Sequence, residues 1–278
     1  MTQQKIMTKP SGIDVSIPYI ISPRSTFLDT RKPKLKWNKV EGATSYTVKI
    51  VTDSNVIWEQ EVTDTEIECS SDISLESGKT YTLIVTSDND CSSESDSDSS
   101  ESVFGILDED STRKVQNELE AIDKKELTEE EYTLELIDIF IVHGLNAKAI
   151  EILEQQAAAD SRNPAIYAEL GNLYRFAGLN LLAEKQYRKT LNLIREEQNI
   201  REQIIAKFGL AEILPLLCKE EEANRLKQEV KQDLKTIENS RNIAQHSVRA
   251  RCCTTDDGEL GIKSCNPIRC ICVTTGFC

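Results

Sequence analysis

The sequence predicts a multidomain β + α protein: a small all-β sandwich, then an all-α helical solenoid, then an irregular Cys-rich tail. Three observations carry the prediction. Between residues 18 and 107, short segments in which apolar and polar residues alternate with period two are separated by turn residues. From 111 to about 240 the period changes to 3.6, and Gly144-Leu145-Asn146 returns as Gly178-Leu179-Asn180, 34 residues later. In the last stretch, 250–278, six of the nine cysteines crowd together.

Residues 1–17 are polar, with early Pro10 and Gly12, and read as a disordered N-terminus. In Lys34-Leu35-Lys36-Trp37 and in Tyr46-Thr47-Val48-Lys49-Ile50-Val51 the alternation is clean, while Val56-Ile57-Trp58 and Tyr81-Thr82-Leu83-Ile84-Val85 are β-branched or aromatic runs. Gly42 and Gly78 fall in the breaks. Strands spaced by roughly ten residues suit a small sandwich. The stretches PKLKWNKVEGATSYTVKI (33–50) and LESGKTYTLIV (75–85) resemble a fibronectin type III-like or Ig-like domain. That resemblance implies a core-filling Trp37 and a tyrosine corner at Tyr81; Ser77 stands where the family's turn usually has proline. It implies a fold and no activity.

Residues 88–110 contain nine acids and no base. The Ser/Asp-rich part, 88–101, cannot bury enough apolar surface to order itself and reads as a solvated loop before a last short strand at 102–107. A calcium site would need a defined ligand spacing and a turn-forming glycine, neither of which is there; a phosphorylation target is the other sharper reading.

In the helical part, Val115, Leu119 and Ile122 share one face, and Thr128 with Glu131 makes a capping box that starts the next helix. The 34-residue period also relates Phe140 to Tyr174, Ala149 to Ala183 and Leu153 to Tyr187. This helix–turn–helix period is the signature of tetratricopeptide repeats. The unit NPAIYAELGNLYRFAGLNLLAEKQYRKTLNL (163–193) resembles that motif: Tyr167 is its first aromatic, Leu170-Gly171 its close-packing pair, Tyr174 follows, Ala183 lets the helices approach and Tyr187 closes the contact. Pro164 sits where a helix start needs no N–H. The unit 130–162 keeps the spacing with Leu136-Ile137 in place of Leu-Gly. A third, about 198–238, has Gly209 and Ala223 at 14 residues against 12 for Gly171 and Ala183, and reads as a degenerate repeat or a capping pair.

Sandwich, acidic loop and repeats in that order are similar to a cyanobacterial family of Fn3-like/TPR proteins, which the segments IPYIISPRSTFLDTRKPKLKWNKVEGATSYTVKI and GLNLLAEKQY resemble. The family implies export. The start MTQQKIMTKPSGIDVS has no apolar h-region, which predicts a cytoplasmic protein, with a periplasmic or secreted one as the alternative.

The charge balance excludes several classes of function. Lys and Arg number 33 against 47 Asp and Glu, net −14, so the chain lacks the basic stripe that nucleic acid or an anionic membrane requires. No run of 18 apolar residues spans a bilayer. The phosphate-loop, dinucleotide, zinc-protease and nucleophile-elbow motifs are all missing. Of two histidines, His143 closes a helix before Gly144 and His246 lies in a polar segment; both read as solvated. The run Glu129, Glu130, Glu131 serves a helix first turn and not acid–base catalysis. The expectation is a non-enzyme without cofactors.

The tetratricopeptide resemblance implies a curved inner face that takes an extended peptide or a partner helix. The motif's inner positions fall on Glu131, Leu134, Asp138 and Ile141 in one unit and on Ala165, Ala168, Asn172 and Arg175 in the next. Asn172 and Arg175 are the central pair, an amide for a peptide backbone and a guanidinium that can fork onto a carboxylate.

Cys69, Cys91 and Cys218 are scattered and read as ordinary thiols. The tail cysteines, Cys252, Cys253, Cys265, Cys270, Cys272 and Cys278, have the spacing C-C-x₁₁-C-x₄-C-x-C-x₅-C. Four readings stay open: up to three disulfides, a soft-metal site, the core of a lanthipeptide-like precursor using Thr254, Thr255, Ser264, Thr274 and Thr275, or an appendage unrelated to the helices. The functional expectation is a protein-binding scaffold, with a carrier or precursor of a Cys-rich C-terminal peptide as the alternative.

Overall fold

A computed structural model describes residues 16–53, 55–69, 73, 75–95, 102–194 and 199–251, with side chains to 236. Among these residues eight strands come first: β1 (Ile20–Ser22), β2 (Thr26–Leu28), β3 (Lys34–Trp37), β4 (Tyr46–Thr52), β5 (Asn55–Val62), β6 (Glu66–Glu68), β7 (Thr80–Ser87) and β8 (Val103–Ile106). Among the described residues seven α-helices follow: α1 (Glu109–Ile122), α2 (Glu129–Val142), α3 (Asn146–Ala158), α4 (Pro164–Phe176), α5 (Asn180–Leu193), α6 (Ile200–Ile213) and α7 (Glu220–Arg251). A region of β-sheet thus precedes a helical region, as the change of period predicts.

The strands form a three-stranded sheet, β1-β3-β6, and a five-stranded sheet, β2-β8-β7-β4-β5. All neighbours are antiparallel except β2 and β8. The β4–β7 register sets Val48 opposite Val85 and Ile50 opposite Leu83. The period-two alternation therefore lands on one face and buries it. Leu35 and Trp37 from one sheet share a core with Tyr46, Val48, Leu83 and Phe104 from the other. Trp37 meets Tyr46 edge-on, with ring centroids 5.6 Å apart. Two buried phenols serve loop backbone: Tyr81 Oη accepts from the Glu76 N–H at 2.7 Å and Tyr46 Oη from the Val40 N–H at 3.0 Å.

The acidic loop is less free than its composition suggests. Asp88 accepts from the Thr44 N–H at 3.1 Å and hydroxyl at 2.5 Å, and Ser93 Oγ from the Val85 N–H at 3.0 Å. These side chains satisfy backbone donors at the end of the sheet. Residues 96–101 of that loop lie outside the described residues. So do residues 1–15 of the stretch expected to be disordered, whereas Ile17 is buried against the helices.

Each helix start follows a local rule. Asp108 caps α1 by accepting from the Ser111 N–H at 2.7 Å. Thr128 and Glu131 form the expected capping box on α2. Pro164 is in the first turn of α4, with Asn163 capping it through the Ala165 N–H at 2.8 Å.

The repeated Gly-Leu-Asn has a physical cause. Gly144 and Gly178 have φ of +70° and +72°, the left-handed region where a side chain is strained. The Gly144 N–H bonds Ile141 O and the Leu145 N–H bonds Phe140 O; Gly178 and Leu179 repeat this onto Arg175 and Tyr174. Each is a Schellman turn that closes one helix. Leu145 and Leu179 are fully buried beyond it, and Asn146 and Asn180 open the next helix.

The segment before and within β2 binds both turns. The Phe27 N–H donates to Gly144 O at 2.7 Å, Tyr19 Oη to Gly178 O at 3.2 Å and Arg24 Nε to Ala177 O at 2.5 Å. An arginine suits a helix C-terminus. Asn146 Nδ2 returns a bond to Ser25 O at 3.1 Å. Residues to Asp233 accordingly form one compact unit, and Leu234–Cys278 are a second. Helix α7 continues to Arg251, past the expected end of the helices near 240. Among the described residues no helix is long and apolar enough to cross a membrane.

Candidate functional site

Helix α4 shows how the candidate site arises. Its period buries Ile166, Tyr167, Leu170, Leu173 and Tyr174, which brings Glu169, Asn172, Arg175 and Phe176 toward the other side. Together with Ile141 and Val142 at the end of α2, and Ile205 and Phe208 on α6, they line an open groove of about 1000 Å³. Phe27 and residues 106–108 close it from the β region. The lining carries unusual apolar exposure: Val142 is 77 %, Phe176 62 %, Phe208 49 % and Phe27 44 % exposed.

The polar side of the groove is a connected line. Tyr187 of α5 is fully buried and donates to Asn172 Oδ1 at 2.8 Å. Asn172 Nδ2 donates to Glu169 Oε2 at 3.3 Å, and Arg175 Nη1 donates to Glu212 Oε2 at 2.6 Å. Burial pushes the Tyr187 phenol up to about 12 despite the Arg175 guanidinium. Burial likewise raises the Glu169 carboxyl above its usual range, and the nearby Asp138 adds to the rise.

Two rings fix the walls by occupying places that only glycine leaves open. A Cβ on Gly171 would lie 2.6 Å from Tyr187 Cε1, and one on Gly209 would lie 2.2 Å from Tyr187 Cζ. The ring thus passes between α4 and α6. Phe27 is held likewise, since a Cβ on Gly105 would lie 2.6 Å, and one on Gly144 3.0 Å, from its ring.

Of the residues expected on the inner face, Ile141, Asn172 and Arg175 line this groove. Glu131 is spent on the capping box, where the Thr128 N–H and hydroxyl hold its carboxyl below the usual range. Leu134 packs against the helical core, Asp138 is exposed and Ala168 is buried. Arg175, expected to fork onto a carboxylate of a partner, already holds one from its own chain. His143, expected to be solvated, is half-buried in the lining with Nε2 3.2 Å from Glu118 Oε1, because α1 packs on α2.

Val142, Phe176, Phe208 and Phe27 were not among the expected site residues. One signal for them existed: Val142 and Phe176 hold equivalent places in the 34-residue period, and neither fits the buried face.

Cys69 is buried, which pushes its thiol up to about 12 and keeps it protonated. Cys91 and Cys218 are free thiols. All six tail cysteines, Cys252 to Cys278, lie outside the described residues. Among the described residues, no group of three or more His, Cys, Asp and Glu is placed to hold a metal ion. No protein-family model matches this chain, and no curated protein matches it.

Proposed function

We propose that this chain is a non-catalytic interaction scaffold. In this reading the β region is a fibronectin III-like or Ig-like sandwich and the helices are a short tetratricopeptide-like solenoid. Its groove takes a peptide or a segment of a partner protein, without a cofactor, in the cytoplasm. The bond from the Glu76 N–H to Tyr81 supports the first assignment, since it stands where a tyrosine corner would. The two Schellman turns 34 residues apart, and the close approach at Gly171 and Ala183, support the second.

The groove itself carries the functional reading. Its volume of about 1000 Å³ is at the upper end of small-ligand sites, and it is open, lined from α2, α4 and α6 and rimmed by exposed apolar side chains. Water does not favour such a rim, and covering it with a partner's apolar side chains releases that cost.

Random-peptide display against the full chain, in parallel with a Phe176→Asp/Phe208→Asp variant, tests the proposal. Both phenylalanines are exposed, so the variant keeps its core. Sequences enriched on the wild type and lost on the variant are the expected result. Enrichment that the variant retains, or none at all, overturns the assignment.

A further inference from the structure

Resting on that reading of the groove, we propose that its occupant is a basic segment with apolar anchors: one or two bulky apolar side chains flanked by lysine or arginine. The rim selects the anchors. Val142 and Phe176 stand one repeat apart, and Phe208 from α6 and Phe27 from the β region line the same groove.

Charge selects the flanks. The one guanidinium in the lining, Arg175, is neutralised by Glu212 at 2.6 Å. Glu169 accepts a hydrogen bond from Asn172, and Asp138 and Glu202 add negative charge around it, which Arg201 opposes. None of Glu169, Asp138 and Glu202 makes an ion pair among the described residues. Burial holds the Glu169 carboxyl above its usual range, so a cation brought beside it relieves a cost already present. An acidic segment would meet the opposite: it would compete with Glu212 for Arg175 and set a further carboxylate among these three. The net charge of −14 adds a long-range field of the same sign, which steers a basic partner inward.

The test uses two display libraries against the full chain, each with a random apolar core, one lysine-flanked and one glutamate-flanked. Enriched peptides are then synthesised and titrated by fluorescence anisotropy. The lysine-flanked peptides are expected to bind about tenfold tighter than their glutamate-flanked twins, as two or three partly screened charge contacts allow. Glu169→Gln with Asp138→Asn is expected to remove most of that advantage, and Phe176→Ala with Phe208→Ala to weaken both sets. Equal binding, or a preference for glutamate flanks that still depends on Phe176 and Phe208, overturns the charge assignment and leaves the groove reading standing. Binding of lysine-flanked peptides that ignores the Phe176→Ala/Phe208→Ala change is non-specific attraction to an acidic chain and overturns this proposal. If neither library enriches, both readings fall together.

Discussion

Replacing Gly209 by alanine would set a methyl group inside the ring of Tyr187. The new Cβ would lie 2.2 Å from Cζ and 2.5 Å from Oη, closer than the 3.0 Å that real Cβ contacts respect. The ring has nowhere to go, because its other edge lies against Gly171 and its hydroxyl is held by Asn172 at 2.8 Å. Two effects compete. Alanine favours a helix over glycine by about 0.8–1 kcal/mol. Against that, overpacking a tight core costs about 1–3 kcal/mol, and a buried hydroxyl pushed off its acceptor about 1–3 kcal/mol more. The balance is a net loss of about 1–5 kcal/mol, a large part of a domain's whole stability. Urea denaturation followed by far-UV circular dichroism, which reports the helices, measures it. The same substitution in a Tyr187→Leu background should be neutral or stabilising, since the ring atoms it strikes are gone. A Gly209→Ala chain as stable as wild type, or one that loses equally in both backgrounds, would refute the wedge.

Other perturbations have equally definite signs. Gly178→Ala forces a side chain into the left-handed region at φ +72° and should cost about 1 kcal/mol; Gly144→Ala should cost more, because its Cβ also meets Phe27 at 3.0 Å. Urea midpoints for the two variants give the order. Glu184 is buried, yet Lys219 at 2.7 Å and Arg188 at 2.9 Å hold its carboxyl below its ordinary 4.5. The stability it contributes is complete above that value and fades as pH falls through the lower folded one, so Glu184→Gln should cost about 2 kcal/mol near neutrality and flatten the acid limb. Glu169 has the opposite sign: its folded value is raised above 4.5, so its penalty grows as pH rises through that range. Glu169→Gln should therefore be more stable than wild type near neutrality, by less than about 1 kcal/mol, and indistinguishable in acid, as midpoints at the two pH values would show.

What could be read from the sequence was whatever repeats or obeys a local rule. The alternations of β3, β4 and β7, the Thr128–Glu131 box, the place of Pro164 and the 34-residue period were legible because each is fixed within a few residues or by recurrence. Strands β1, β2 and β6 were not, since three residues hold no period and each exists through its partner. In the groove, the fate of Arg175 depends on Glu212, 37 residues away and outside the regular repeat, so nothing local announced that its charge was already satisfied. The Gly209–Tyr187 contact was hidden for the same reason: the third unit departs from the spacing that would have aligned it.

The bonds from residues 19–27 to the two helix turns also constrain the order in which the protein can be made. Thr26 waits for a carbonyl 118 residues further on, Arg24 for one 153 residues on and Tyr19 for one 159 residues on. At a synthesis rate of about 5–20 residues per second, the strands are complete on the ribosome about 2–14 s before those acceptors exist. Through that interval the Phe27 ring has Gly105 beneath it and no Gly144 above it. The β region therefore cannot be sealed as an independent first product. The edge of β2 is met only when the turn after α2 has emerged, and Tyr19 and Arg24 find their acceptors only when the turn after α4 has, so long-range closure is written into the first thirty residues of the chain.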